Sequence, residues 1–288
     1  MKTIIIATDF SETSYNAVKY GFSLAERIGT KVILFHAYQT AISIPEAYSV
    51  VTSEELKLAA EKELNRLSDE LRLNSEQIIE SIAVEGNVED MILLYAKKYE
   101  DCLIICGKKN KGKFTQKLFG NTSMELINKS NIPLLIIPQG FVFNKIKKIV
   151  FATDLSLDTD IRTLKPLLNI GEKNDAKLVV LRVMAVELNV LEEINFRSER
   201  LNSYLKVLDP HYVFLKSDDI SNTIEKYLEE NNVDMIALMP RHHTIMEKIF
   251  SSSESKKILF LTNLPILYLP EVKIKYIDVK KGESQMQA

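Results

Sequence analysis

The sequence predicts an α/β protein built as two tandem copies of one doubly wound, five-stranded parallel-sheet domain, and three observations carry that reading. The first is length: 288 residues exceed one ordinary domain and suffice for two, each with its own core. The second is an internal repeat, the feature to be sought before any other. The run Ile4-Ile-Ile-Ala-Thr-Asp-Phe-Ser11 returns as Ile149-Val-Phe-Ala-Thr-Asp-Leu-Ser156, and Lys31-Val-Ile-Leu-Phe-His36 as Lys177-Leu-Val-Val-Leu-Arg182. Further on, Asp101-Cys-Leu-Ile-Ile105 returns as Asp234-Met-Ile-Ala-Leu238, and Asn131-Ile-Pro-Leu-Leu-Ile-Ile-Pro138 as Asn263-Leu-Pro-Ile-Leu-Tyr-Leu-Pro270. The third is the alternation of short Ile/Val/Leu-rich runs with longer segments of helical period, the signature of β-α-β units.

Taken in order, residues 3–7 form an apolar run of strand length, and Ser11 stands where a helix N-cap is expected, so a helix follows over 12–29. The continuous apolar run 31–37 is the second strand. Acids and lysines at helical spacing, among them Glu61 to Glu70, mark 53–73 as a helix with a solvated face. A strand at 79–85, a helix at 88–100, a strand at 102–106, a helix at 117–129 and a strand at 134–137 complete the first copy. The second copy repeats the plan, with Ser156 at the matching N-cap. Continuous apolar strands joined by helices imply a parallel sheet covered on both faces, and right-handed crossovers make it doubly wound. The copies are placed at 1–140 and 145–271, with a tail over 272–288 whose polar end, Lys280 to Ala288, is expected to be disordered. Segment 139–147 is too short for a flexible tether, so the two copies are expected to pack together.

Composition narrows the function. Hydrophobic residues make up 46% and charged residues 26%, the balance of a soluble globular protein, and the net charge of -2 offers no overall field for nucleic acid or an anionic membrane. The apolar run at the N-terminus is too short for a signal sequence or membrane span, which points to the cytoplasm. Cys102 and Cys106 lie four apart on one strand, so they share a sheet face, too far apart for a disulfide; core packing is the expected role.

In an open α/β sheet, ligands bind beyond the carboxyl ends of the strands where strand order reverses. That rule selects the loops after the first strand, at Ala7-Thr8-Asp9, and after the fourth, at Gly107. From Gly107 to Ser123 the chain holds five lysines, three glycines and no acid. Glycines admit backbone amides to phosphate oxygens, the hydroxyls of Thr122 or Ser123 can donate, and lysines neutralise charge. A merely solvated lysine loop is the competing reading. The stretch Gly107-x4-Gly112-Lys113-Phe114 nearly matches a P-loop but ends on Phe114, which has no hydroxyl for magnesium.

The Ala-Thr-Asp-x-Ser turn of each copy, the Asn-x-Pro before each last strand and the glycine loop together make the chain resemble the universal stress proteins in their tandem two-domain form. The resemblance covers nearly the whole chain and implies an adenine-nucleotide α-hydrolase-like, Rossmann-like fold. Nucleotide-binding members carry Gly-x2-Gly-x9-Gly followed by Ser or Thr; here those positions are Gly107, Asn110, Gly120 and Asn121. The spacing is kept, while the second glycine is Asn110 and the hydroxyl residue is Asn121, with Thr122 and Ser123 directly after. By resemblance, ATP with magnesium would bind in the first copy alone, Asp9 and the backbone at Thr8 and Ala37 lining the adenine and ribose end. Gly107, Lys109, Asn110, Gly120, Asn121 and Thr122 would line the phosphate end. A structural role for Asp9, satisfying amides of the first helical turn, stands beside that one. The second copy has no glycine between Met239 and Ser253, so it is expected to be structural, with Asp154 kept as a turn residue.

No catalytic residue and no metal site is expected: His36 and His211 are isolated, the side chains of adjacent His242 and His243 diverge, and no Gly-x-Ser-x-Gly elbow occurs. Three functions compete: a nucleotide-responsive stress module, a ligand-independent scaffold acting through dimerisation, and an ATP-using enzyme. The last lacks the Ser-Gly-Gly-x-Asp-Ser loop such enzymes carry after their first strand. The resemblance also implies that Leu134 to Ile137 and Ile266 to Leu269 meet within one chain, making an intrachain pseudo-dimer, and that two chains associate as a homodimer.

Overall fold

A computed structural model describes residues 1–40, 51–73, 75–109, 121–153, 161–184, 199–239 and 262–270. The first copy contributes β1 (Thr3–Ala7), α1 (Glu12–Ile28), β2 (Lys31–Tyr38), α2 (Ser53–Arg72), β3 (Ile79–Glu85), α3 (Val88–Ala96), β4 (Cys102–Lys108), α4 (Asn121–Lys129) and β5 (Leu134–Pro138). The second contributes β6 (Lys148–Ala152), a short 3-10 turn and α5 (Lys165–Asn174), β7 (Lys177–Met184), α6 (Glu199–Leu205), β8 (His211–Lys216), α7 (Ile220–Glu230), β9 (Met235–Leu238) and β10 (Ile266–Tyr268).

These strands form one ten-stranded sheet in the order β3-β2-β1-β4-β5-β10-β9-β6-β7-β8. Each half is parallel throughout. The halves join through β5 and β10, antiparallel, with Leu135 opposite Leu267, so the two last strands meet within the chain as the resemblance implies. Strand alternation divides the core into two layers. Ile4, Ile6, Leu103 and Ile105 face α1, while Leu34, Leu64 and Leu67 continue the same layer beneath α2. Ile5, Ile104 and Leu134 face the opposite layer, which includes Ile92 of α3 and Leu126 of α4. Burial of each such side chain contributes about 1.5–3 kcal/mol.

The helices begin and end where their caps dictate. Ser11 accepts the amide of Ser14 at the start of α1, Glu12 sits in its first turn, and Gly29 closes it at φ 72. Thr52 and Glu55 form a reciprocal capping box on α2. Two boundaries differ clearly from expectation: β4 runs to Lys108, not to residue 106, and α3 ends at Ala96, not at residue 100. Beyond it, the amides of Lys98 and Tyr99 reach back to the carbonyls of Tyr95 and Ala96, tightening the chain into turns that lead to β4. The expected helical residues 117–120, and the tail over 272–288, lie outside the described residues.

The segment between the copies is a strap fixed on both sides. Asn16 of α1 donates to the carbonyls of Pro138 and Phe141, at 3.1 and 3.3 Å. Tyr20 packs edge-on against Phe143. Ile146 is buried, and its amide donates to Oδ1 of the fully buried Asn174. The amides of Lys147 and Lys148 then both donate to Oδ2 of Asp234, at 2.7 and 2.9 Å. At the matching place in the first copy, the amides of Lys2 and Thr3 donate to the backbone carbonyl of Asp101. The repeat thus keeps the contact while exchanging the accepting atom.

Candidate functional site

Where β1 ends at Ala7, β4 continues to Lys108 beside it, and the two backbones part around a crevice of about 180 Å3. Thr8, Asp9, Ala37, Gly107, Lys109 and Thr122 all line it, together with Ser11 and Ser14. Asn110 and Gly120 lie outside the described residues, and Asn121 is described only as the first residue of α4.

The floor is the turn from β1 into α1. The Thr8 amide donates to the Phe35 carbonyl at 2.9 Å, continuing the β1–β2 ladder by one bond. Thr8 Oγ1 accepts the Phe10 amide and shares a hydrogen bond with Ser14 Oγ, both at 3.1 Å. Asp9 Oδ1 accepts the Ser11 amide at 3.1 Å and the Ser11 hydroxyl at 2.5 Å. Both readings of Asp9 therefore meet in one side chain, which builds the turn through Oδ1 and borders the crevice. Partial burial works against ionisation of this carboxyl, but the hydrogen bonds from Ser11 and Ser14 outweigh it and hold Asp9 below its usual range. It stands at the crevice as an exposed anion.

The turn forces Phe10 to φ 60, a left-handed conformation that costs a non-glycine residue about 1–2 kcal/mol. Its ring is held against that of His36, centroids 4.5 Å apart. His36 Nδ1 in turn donates to the Thr8 carbonyl at 2.8 Å.

One wall is backbone. Along a strand, successive residues direct their amide and carbonyl to opposite neighbours. Phe35 accepts from Thr8 on the β1 side and Tyr38 accepts from Gly86 on the β3 side, so Ala37 faces β1's side, beyond the end of that strand. No described residue takes its amide or carbonyl there. Ala37 thus presents an adjacent donor and acceptor at the rim.

The opposite wall is set by close approach. A Cβ on Gly107 would lie 2.7 Å from the Thr13 carbonyl oxygen and 2.9 Å from Thr13 Cγ2, so the missing side chain lets β4 run against the first turn of α1. The two described lysines of the loop divide. Lys108 is 3% exposed and donates to the Thr262 carbonyl at 2.7 Å across the seam, whereas Lys109 is exposed at the crevice. Thr122 and Ser123 of α4 both border the space, but the Ser123 side chain is buried and its hydroxyl donates to the Gly107 carbonyl at 3.1 Å. Lys108 and Ser123, which composition alone would assign to an anion, serve the fold.

Cys102 and Cys106 are free, buried and on one sheet face, and burial pushes both thiols up to about 11. In the second copy, the Thr153 amide donates to the Leu181 carbonyl, repeating the bond of Thr8 to Phe35. Asp154, His242 and His243 lie outside the described residues. Among the described residues no cluster of His, Cys, Asp and Glu could hold a metal ion, and no helix is long and apolar enough to cross a membrane.

Residues 1–138 match the sequence model of the universal stress protein family. The first copy is thus similar to universal stress proteins. Universal stress protein A of Escherichia coli is 27% identical over 138 residues, 48% of this chain and 94% of that protein. A universal stress protein of Synechocystis is 24% identical over 302 residues, spanning 93% of this chain and 99% of the relative, as a tandem form requires. A solved universal stress protein from Archaeoglobus fulgidus superposes with a TM-score of 0.74 at 18% identity, over 93% of this chain and 98% of its own. The fold of both halves is therefore that of universal stress proteins.

Proposed function

We propose that this chain is a universal stress protein, a non-catalytic, cytoplasmic stress-response module that binds ATP or a related adenine nucleotide, with magnesium, in the first of two units placed at 1–140 and 145–271. The observation that carries the reading is the Ala37 edge: a strand's unpaired amide and carbonyl, adjacent at the rim of a crevice, match the donor and acceptor edge of adenine. Asp9, an exposed carboxylate at the crevice, would accept from a ribose hydroxyl. Lys109, Thr122 and the loop carrying Asn110, Gly120 and Asn121 would receive the phosphates. A volume of about 180 Å3 falls below the roughly 300–1,000 Å3 of pockets that enclose a whole ligand, so the described walls suit one end of a nucleotide. The second unit completes the sheet through β10.

The test is isothermal titration of ATP, with and without magnesium, into the full chain and into Asp9→Ala and Lys109→Glu variants. One saturable site per chain, weakened in both variants, is the expected result. A specific observation favours a second reading: Lys108 and Ser123 are engaged in the fold, and Asn110 and Asn121 depart from the nucleotide-binding pattern. No heat and no thermal stabilisation at millimolar ATP would favour a ligand-independent scaffold that associates through paired chains.

A further inference from the structure

In a regular parallel ladder the bond from the Thr8 amide to the Phe35 carbonyl is followed by its mate, from the Ala37 amide to the Thr8 carbonyl. The first bond is present at 2.9 Å, and the second is not formed. In its place the imidazole of His36 donates from Nδ1 to the Thr8 carbonyl at 2.8 Å. We propose that His36 is a positioning residue: by taking the Thr8 carbonyl it stops the β1–β2 ladder one bond early and leaves the Ala37 amide open at the crevice. This rests on the nucleotide reading above for its consequence, though not for its geometry.

Two neighbouring features hold the imidazole to this task. Phe10 stacks on it at 4.5 Å from a left-handed backbone, and the Phe10 amide is fixed to Thr8 Oγ1. The turn that carries the Thr8 carbonyl and the ring that caps it are therefore locked together. The bond also selects a tautomer. A neutral imidazole that donates from Nδ1 carries its proton there and has a bare Nε2. In the second copy the matching residue is Arg182, so no imidazole serves the corresponding position beside Val183.

The experiment uses the full chain and two substitutions. His36→Leu keeps bulk under Phe10 and removes the donor; His36→Asn restores a donor, because its Nδ2 stands the same number of bonds from Cα as Nδ1 of histidine. The primary readout needs no ligand. Amide hydrogen exchange of Ala37 is expected to be fast in the wild type and in His36→Asn, and slowed at least about tenfold in His36→Leu, where the ladder closes. The imidazole 15N spectrum of the wild type is expected to show the Nδ1–H tautomer. ATP affinity is expected to fall about tenfold in His36→Leu, the worth of one hydrogen bond, and to return in His36→Asn.

An Ala37 amide equally protected in wild type and His36→Leu overturns the inference, as does an Nε2–H tautomer. If His36→Leu fails to fold, exchange in His36→Asn and the tautomer still decide. Wild-type protein that ignores ATP yet shows the exchange pattern retains the role of His36 and discards the nucleotide reading.

Discussion

Gly107→Ala sets two physical effects of opposite sign against each other. No left-handed conformation is imposed at this position, so alanine would fit the β4 backbone and, by restricting the unfolded chain, would stabilise by about 0.4–1 kcal/mol. Against this stands the added methyl at 2.7 Å from the Thr13 carbonyl oxygen, where ordinary contact begins at 3.4 Å. The atoms must part by about 0.7 Å, and the obstacle is backbone rather than the tip of a flexible side chain. Nor is that backbone free to yield: Thr13 is buried in the first turn of α1, which is tied to Ser11, Ser14, Asp9 and Thr8. Overpacking of this kind costs about 1–3 kcal/mol, so the clash wins and the variant is expected to lose about 1–2 kcal/mol. The chain has no Trp, so unfolding is best followed by far-ultraviolet circular dichroism in urea. A lower midpoint at unchanged slope is expected, with a thermal midpoint reduced by about 2–4 °C per kcal/mol. A variant as stable as the wild type, or more so, would refute the argument that packing against α1 fixes this glycine.

Asp9→Asn keeps an acceptor for Ser11 but removes the charge. Because the folded carboxyl titrates below its ordinary 3.8, the unfolded chain binds more protons in acid; the contribution of Asp9 is complete above about pH 5 and is lost as the pH falls through the folded value. The stability difference between wild type and variant, from urea titrations at pH 6 and pH 3, is expected to narrow in acid; a constant difference counts against the assignment. Asn174→Ala strands the Ile146 amide in the core and removes the bond to the Ile170 carbonyl, at an expected cost of about 1–3 kcal/mol, seen as a lower thermal midpoint. An unchanged midpoint would show that the strap between the copies is not held there.

What the sequence made legible, and what it hid, follows from how far each feature depends on three-dimensional register. The strand β1 begins and ends where its apolar run does, because a strand buried on both faces must be apolar along its length. The cap of α1 was legible because Ser11 acts on atoms three residues away. The crevice residues Thr8, Asp9, Ala37, Gly107, Lys109 and Thr122 were legible as a group, since the carboxyl ends of adjacent strands converge in any doubly wound sheet. Lys108 was hidden because the apolar run stops at Cys106 while the strand does not. Two residues further along, alternation puts Lys108 on the buried face of Cys102, Ile104 and Cys106, where it reaches Thr262, and turns Lys109 out to solvent. His36 was hidden for the same reason. It was isolated in sequence, and only the register of Ala7 opposite Phe35 brings the Thr8 carbonyl within reach of its ring. Local chemistry could thus be read from residue types, whereas the choice between neighbouring residues at the end of a strand depended on where the ladder stops, and in this crevice side chains from two strands decide that point.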